Sequence, residues 1–236
     1  MFAHMLYFNT DLSKWDVSSV ESMVNMFRNN GAFNSDISEW KVSSVSTMEY
    51  MFGESVFNSD LSKWKVSSVI SMGSMFYSSN FNGDLSGWDV SRVANFGWMF
   101  QGNKAFNSDI SSWTVSSANN MYEIFSGAEA FNVDISSWTI SSNVDMHFML
   151  YGASSFNQDL CAWRNEFSYS SAYNIFAGSN CTFQATPQLD QRGPFCASSC
   201  PVTLSPTSNP TTSSLPTVSN WIAHLIRIFL LESNID

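Results

Sequence analysis

Seven aspartates recur through the chain at intervals of 24 or 25 residues: Asp11, Asp36, Asp60, Asp84, Asp109, Asp134 and Asp159. If the segments that carry them stack, neighbouring carboxylates fall about 4.8 Å apart. Unit charges that close repel by about 1 kcal/mol even in water, so something must compensate. Two chemistries can do so. Calcium could bridge adjacent carboxylates, helped by the asparagine column that begins at Asn9; Asp36, Asp60, Asp84 and Asp109 are the weak candidate metal column. Alternatively each carboxylate accepts backbone N–H bonds from its own turn, as aspartate does in Asx turns. The second reading is the expectation, since the spacing matches neither an EF-hand nor a glycine-rich calcium repeat.

Other reactive side chains are sparse. His4, His147 and His224 fall in unrelated places, and no Ser-His-Asp, His-Cys or glycine-rich phosphate motif is present. Copies of one structural unit also offer no unique pocket, so neither an enzyme nor a cofactor is expected. Cys161, Cys181, Cys196 and Cys200 all lie late in the chain. Four cysteines clustered at one end read as two disulfides and an oxidising compartment. Zinc is the competing reading, weakened by the lack of a nearby histidine. Asn180-Cys181-Thr182 fits a glycosylation sequon.

Seven copies of Phe-Asn-x-Asp, starting at Phe8, Phe33, Phe57, Phe81, Phe106, Phe131 and Phe156, set the frame. A tryptophan follows each Phe at seven residues, from Trp15 to Trp163, and an apolar pair such as Met51-Phe52 follows each of the first six tryptophans at eleven. Such a period signals stacked repeats, and the in-register tryptophans and Met/Phe positions read as core. The count from Phe to Trp is constant, whereas five or six residues separate the apolar pair from the next Phe. The variable stretch reads as an exposed loop. Leu12-x-x-Trp15-x-Val17 suggests a short strand, and Val20, Met23, Met26 and Phe27, three or four apart, suggest a short helix capped by Ser18 or Ser19. The expected fold class is therefore α/β: a leucine-rich-repeat-like solenoid of 24–25-residue units, each a short parallel strand plus a short helix.

On that scaffold the residues flanking each tryptophan point outward. Lys14, Glu39 and Lys63 precede it; Asp16, Lys41, Lys65, Asp89, Thr114 and Thr139 follow it. They vary while the core columns stay constant, which marks them as the candidate binding face, with Lys41, Lys63 and Lys65 as a small positive patch. An ordinary solvated face is the bland alternative.

The pattern Phe-Asn-x-Asp-(Leu/Ile)-Ser-x-Trp-x-Val-Ser-x-Val-x-x-Met-x-x-Met-Phe resembles the BspA-like leucine-rich repeat family, whose repeats are known from mycoplasma lipoproteins and from protists. The resemblance covers about residues 1–176. It implies a secreted or cell-surface protein of leucine-rich-repeat type and says little about the ligand.

The ends differ from the middle. Met1-Phe2 stands where Phe27 stands relative to Phe33, so the chain starts inside a repeat, and a cap and signal peptide are expected upstream. The repeat decays around residues 165–176, and residues 177–200 read as a cap closed by Cys161 with Cys181 and Cys196 with Cys200. Residues 201–220, rich in Ser, Thr and Pro, read as a stalk. Residues 221–236 carry an apolar run too short for a membrane span; an interfacial helix and the stub of an anchor both fit. The net charge of -10 argues against nucleic acid, which needs a basic surface. Charged residues are only 13% of the chain, about half the usual share, so Ser, Asn and Thr must cover the surface, as suits an extracellular protein. The expected partner is another macromolecule or surface, bound through the strand face; a wall or matrix component without a specific ligand is the alternative.

Overall fold

Each repeat folds as a succession of tight turns. In one unit the N–H of Trp40 reaches the carbonyl of Ile37, Val45 reaches Val42, Met51 reaches Met48 and Gly53 reaches Tyr50, and the same set recurs in its neighbours. Residues at the two ends of such turns share the inner side. That is how apolar residues three apart, such as Val42, Val45, Met48 and Met51, all become buried. The structure, a computed structural model, describes residues 2–200; residue 1 and residues 201–236, with the expected stalk and tail, lie outside the described residues.

The α/β solenoid expected from the sequence does not form. Among the described residues there is no α-helix; the helical segments are the short 3-10 turns Cys161–Asn165 and Tyr169–Ser171. The Leu-x-x-Trp-x-Val stretch is a turn and not a strand. Neighbouring units meet through isolated parallel bridges, Ser22 to Thr47, Thr47 to Ser71, Ser71 to Asn95, Asn95 to Asn120 and Asn120 to Asp145, all in the stretch expected to be helical.

The reason lies in where the backbone donors go. In an α-helix each N–H bonds four residues back in its own segment. Here the N–H groups of Asn25, Tyr50, Ser74, Trp98, Glu123 and Phe148 donate to the next unit at 2.8–3.0 Å. To aim them outward, these residues and Asn174 adopt left-handed backbone angles, with φ of 53–58°. A second left-handed column follows four residues later at Asn29, Glu54 and Ser78, then Gly102, Gly127, Gly152 and Gly178. A left-handed residue at the third position of a turn is type II geometry, and it stops a helix from propagating.

The core is two interleaved columns of phenylalanine beside a column of tryptophan. Phe27 lies 3.9 Å from Phe33 and 5.7 Å from Phe52, nearly parallel to both. Trp64 lies 6.4 Å from Trp40 and 6.5 Å from Trp88. These are offset-stacked distances. Trp40, Trp64, Trp88, Trp113, Trp138 and Trp163 are buried, while Trp15, at the N-terminal face of the stack, is 43% exposed.

The stretch of variable length is not wholly exposed: one of its residues turns inward in each unit. Where five residues separate the two Phe positions, that residue is Ser55 or Ser79, whose hydroxyl accepts the N–H two residues on. Where six separate them, Asn30, Asn103, Ala128 or Ala153 takes the place. The Asn30 side chain accepts the N–H three residues on, whereas Phe131 and Phe156 donate to the backbone carbonyls of Ala128 and Ala153.

The disulfide pairing also differs from expectation. Cys161 bonds Cys200 and Cys181 bonds Cys196, with Cα atoms 5.4 and 4.6 Å apart. The repeat register continues past residue 176. Cys181 donates its N–H to Ser179 as Phe57 does to Ser55, so it stands where the next Phe would be. The segment after it folds back in antiparallel fashion, pairing Phe183 with Cys196 and Gln188 with Gly193. This brings Cys196 onto Cys181 and places Phe195, fully buried, against Phe167 at 4.8 Å.

Candidate functional site

The residues flanking each tryptophan form the most regular outward surface. The Leu-to-Trp turn buries its two ends and leaves its middle and the residue after Trp outside. Lys14, Asp16, Glu39, Lys41, Lys63, Lys65, Asp89, Thr114 and Thr139 are accordingly all exposed. Shallow depressions lie between the two columns, floored by the Trp segments. One of about 270 Å³ is lined by Glu39, Lys41, Lys63 and Lys65 around Trp40. Another of about 470 Å³ is lined by Ser112, Thr114, Ser116, Ser137 and Thr139 around Trp113. A third joins Lys65 to Asp89 across Gly87. The surface is ionic over one part of the stack and hydroxyl-lined over another.

The charges here are partly matched. Lys63 pairs with Glu39 one unit away, and this bond and charge raise its pKa. Asp16 lies below the ordinary carboxylate value because Ser18 bonds it and Lys41 lies near. Asp89 is lowered by the hydroxyl and N–H of Ser91. Lys41 and Lys65 form no ion pair among the described residues.

The aspartate column makes turns. In every copy one carboxylate oxygen accepts the N–H two residues on: Asp11 from Ser13, Asp36 from Ser38, Asp60 from Ser62, Asp84 from Ser86, Asp109 from Ser111, Asp134 from Ser136 and Asp159 from Cys161. The backbone N–H bond first, with the serine hydroxyl, lowers the pKa of Asp11, Asp36 and Asp60. For Asp84 and Asp109 the hydroxyl is the larger cause. The four cysteine sulfurs are joined in disulfides, so Asp159, Cys161 and Cys200, which converge, offer no free thiolates to zinc.

Three arrangements escaped the sequence reading. The indole N–H of Trp40, Trp64, Trp88, Trp113 and Trp138 donates to the Leu or Ile carbonyl of the preceding unit at 3.0–3.1 Å. The series ends at Trp163, where the chain enters a 3-10 turn and Nε1 has no partner. The asparagine of Phe-Asn-x-Asp forms a second ladder. Asn9 accepts from the N–H of Asn34, Asn34 from Asn58, Asn58 from Asn82, Asn82 from Asn107, Asn107 from Asn132, and Asn132 from Asn157. Both were signalled by invariant residues whose donors or acceptors needed partners. The third is a strip of surface aromatic rings, Trp98, Tyr122, Phe148, Tyr151 and Tyr173, drawn from different positions of successive units.

Among the described residues no helix is long and apolar enough to cross a membrane. No curated protein and no solved structure matches the chain. The family model described as "Mycoplasma protein of unknown function, DUF285" matches it twice, over residues 1–86 and 78–188. These matches span the stacked units and run into the disulfide-closed end, and the chain belongs to this mycoplasma repeat-type family, DUF285.

Proposed function

We propose that the protein is a non-enzymatic display scaffold of the BspA-like surface type, secreted or held at a cell surface, which binds another macromolecule or surface through the columns flanking its tryptophans. One observation carries this reading. Within a single chain the inward columns hold constant while Lys14/Asp16, Glu39/Lys41, Lys63/Lys65, Gly87/Asp89, Ser112/Thr114 and Ser137/Thr139 change from unit to unit on an open, grooved face. A scaffold that needed only to stack would place no demand on that variation. Two disulfides and a low charge content support an oxidising, extracellular setting.

The test is a binding screen of the immobilised full chain against solubilised surface fractions and arrayed glycans. A saturable ligand that is lost or weakened severalfold by Lys63→Ala with Lys65→Ala supports the reading. Absence of any saturable ligand, or a ligand indifferent to those changes, contradicts it and favours a wall or matrix component that serves by its bulk.

A further inference from the structure

One strip of the surface is aromatic. Trp98 and Tyr122 lie 5.0 Å apart, Tyr122 and Phe148 6.0 Å, and Phe148 and Tyr173 5.6 Å, so a continuous run of rings crosses four successive units. Trp98 is 38% exposed and Tyr173 59%. Core packing does not require them, since the units already bury their own Phe, Met and Trp columns. Exposed rings that adjoin one another from unit to unit mark an interaction site.

The charges beside the rings are acidic. Glu123 follows Tyr122, and its hydrogen-bond partner is the neutral amide of Gln101. Asp145 is bonded to the ring of His147, which lies 6.5 Å from Tyr122. No Lys or Arg forms an ion pair with Glu123 or Asp145 among the described residues. Aromatic faces attract cations, most often arginine, and a nearby carboxylate adds to the attraction.

The molecule contains its own example of such a contact. In the first units Arg28 sits 4.4 Å from the centroid of the Tyr50 ring and pairs with Glu54 at 3.1 Å. There an aromatic ring and a carboxylate from one unit are filled by a guanidinium from the unit before. In the later units Gln101 stands at the position of Arg28 and bonds Glu123, which stands at the position of Tyr50. The rings of Tyr122, Trp98 and Phe148 lie beside this uncharged-to-acidic pair, which brings no cation to them.

We propose that the strip Trp98–Tyr122–Phe148–Tyr173, with Glu123, is a docking surface for an arginine-bearing, cationic polypeptide segment. The incoming guanidinium groups lie over the rings as Arg28 lies over Tyr50. This surface is separate from the tryptophan-flanking groove, and neither depends on the other.

The full chain titrated with a short oligoarginine peptide tests this, read by tryptophan fluorescence and calorimetry. Saturable binding is expected that weakens as salt rises. Trp98→Ala and Tyr173→Ala are each expected to weaken it roughly threefold or more. Glu123→Gln is expected to weaken it as well, while Glu21→Gln, which removes an equal charge elsewhere, leaves it unchanged. Both ring residues are exposed, and unchanged thermal melting of the two variants shows that the fold is intact. Binding that responds equally to Glu21→Gln and Glu123→Gln and ignores Trp98→Ala would be diffuse attraction to an acidic protein and would overturn the proposal. So would Trp98-dependent binding of a neutral oligosaccharide without binding of the peptide.

Discussion

The indole N–H of Trp88 donates to the carbonyl oxygen of Leu61, one unit earlier, at 3.0 Å. This contact gives a buried indole donor its partner: a carbonyl that already closes its own turn by accepting the N–H of Trp64. Trp88→Phe keeps a ring but loses this bond, while the Leu61 carbonyl retains the N–H of Trp64, so the expected loss is about 1 kcal/mol. Trp88→Ala also opens a cavity, for roughly 3–5 kcal/mol. Urea unfolding of both variants should place them in that order. A Trp88→Ala protein as stable as the parent would contradict the stacking.

The asparagine ladder makes a separate demand. Asn58→Ala removes the acceptor for the N–H of Asn82 and is expected to destabilise by about 1 kcal/mol. Asn58→Asp retains an acceptor and should lose less at neutral pH. Equal losses for the two would show that the amide carbonyl is not what holds the units in register.

The aspartate turns predict a pH dependence with a definite sign. Asp11, Asp36, Asp60, Asp84 and Asp109 lie below the ordinary value of 3.8 in the folded chain. The unfolded chain therefore takes up protons first as pH falls. Their contribution is fully present above pH 3.8 and is lost as pH drops through the lowered folded values. Thermal melting across this range should show the loss, and Asp60→Asn should reduce its steepness. Excess EDTA at neutral pH is expected to leave melting unchanged, because the turns use the chain's own N–H groups. A large loss restored by calcium would instead place a cation along the column.

The closed end predicts a chemical result. Proteolytic mapping without reduction should recover Cys161 joined to Cys200 and Cys181 joined to Cys196. Opening the 15-residue Cys181–Cys196 loop by Cys196→Ser is expected to remove about 3 kcal/mol. Recovery of Cys196 joined to Cys200 would contradict the fold-back of residues 183–196.

Register and core were legible because the sequence repeats them. Any stacking of identical units puts Trp40 on Trp64 and Phe33 on Phe57. The local backbone was not legible, because apolar residues three apart satisfy both a helix and a chain of tight turns. The left-handed residues could have decided between them, but in the first column they are Asn25, Tyr50, Ser74, Trp98, Glu123, Phe148 and Asn174, types with no common turn signature. The second column did carry a signal in Gly102, Gly127, Gly152 and Gly178, glycines at the repeat period. The cysteine pairing was hidden because it depends on where residues 183–196 fold back, which no repeat encodes. The exposed residues flanking Trp were found by the alternation of constant and variable columns. The aromatic strip was missed because its rings occupy different positions in successive units.

The central claim is that the stretch with helical apolar spacing is built of turns with left-handed residues that recur in every unit, and Ser74 tests it most directly. It lies in the middle of a stretch with helical apolar spacing, and its φ is 56°. Ser74→Gly and Ser74→Ala both remove the hydroxyl, so their difference isolates the backbone. The left-handed turn predicts that the Gly variant is the more stable by about 1 kcal/mol in urea unfolding. A helix predicts the opposite sign, with Ala the more stable by about 1 kcal/mol. An Ala variant more stable than the Gly variant would contradict the account.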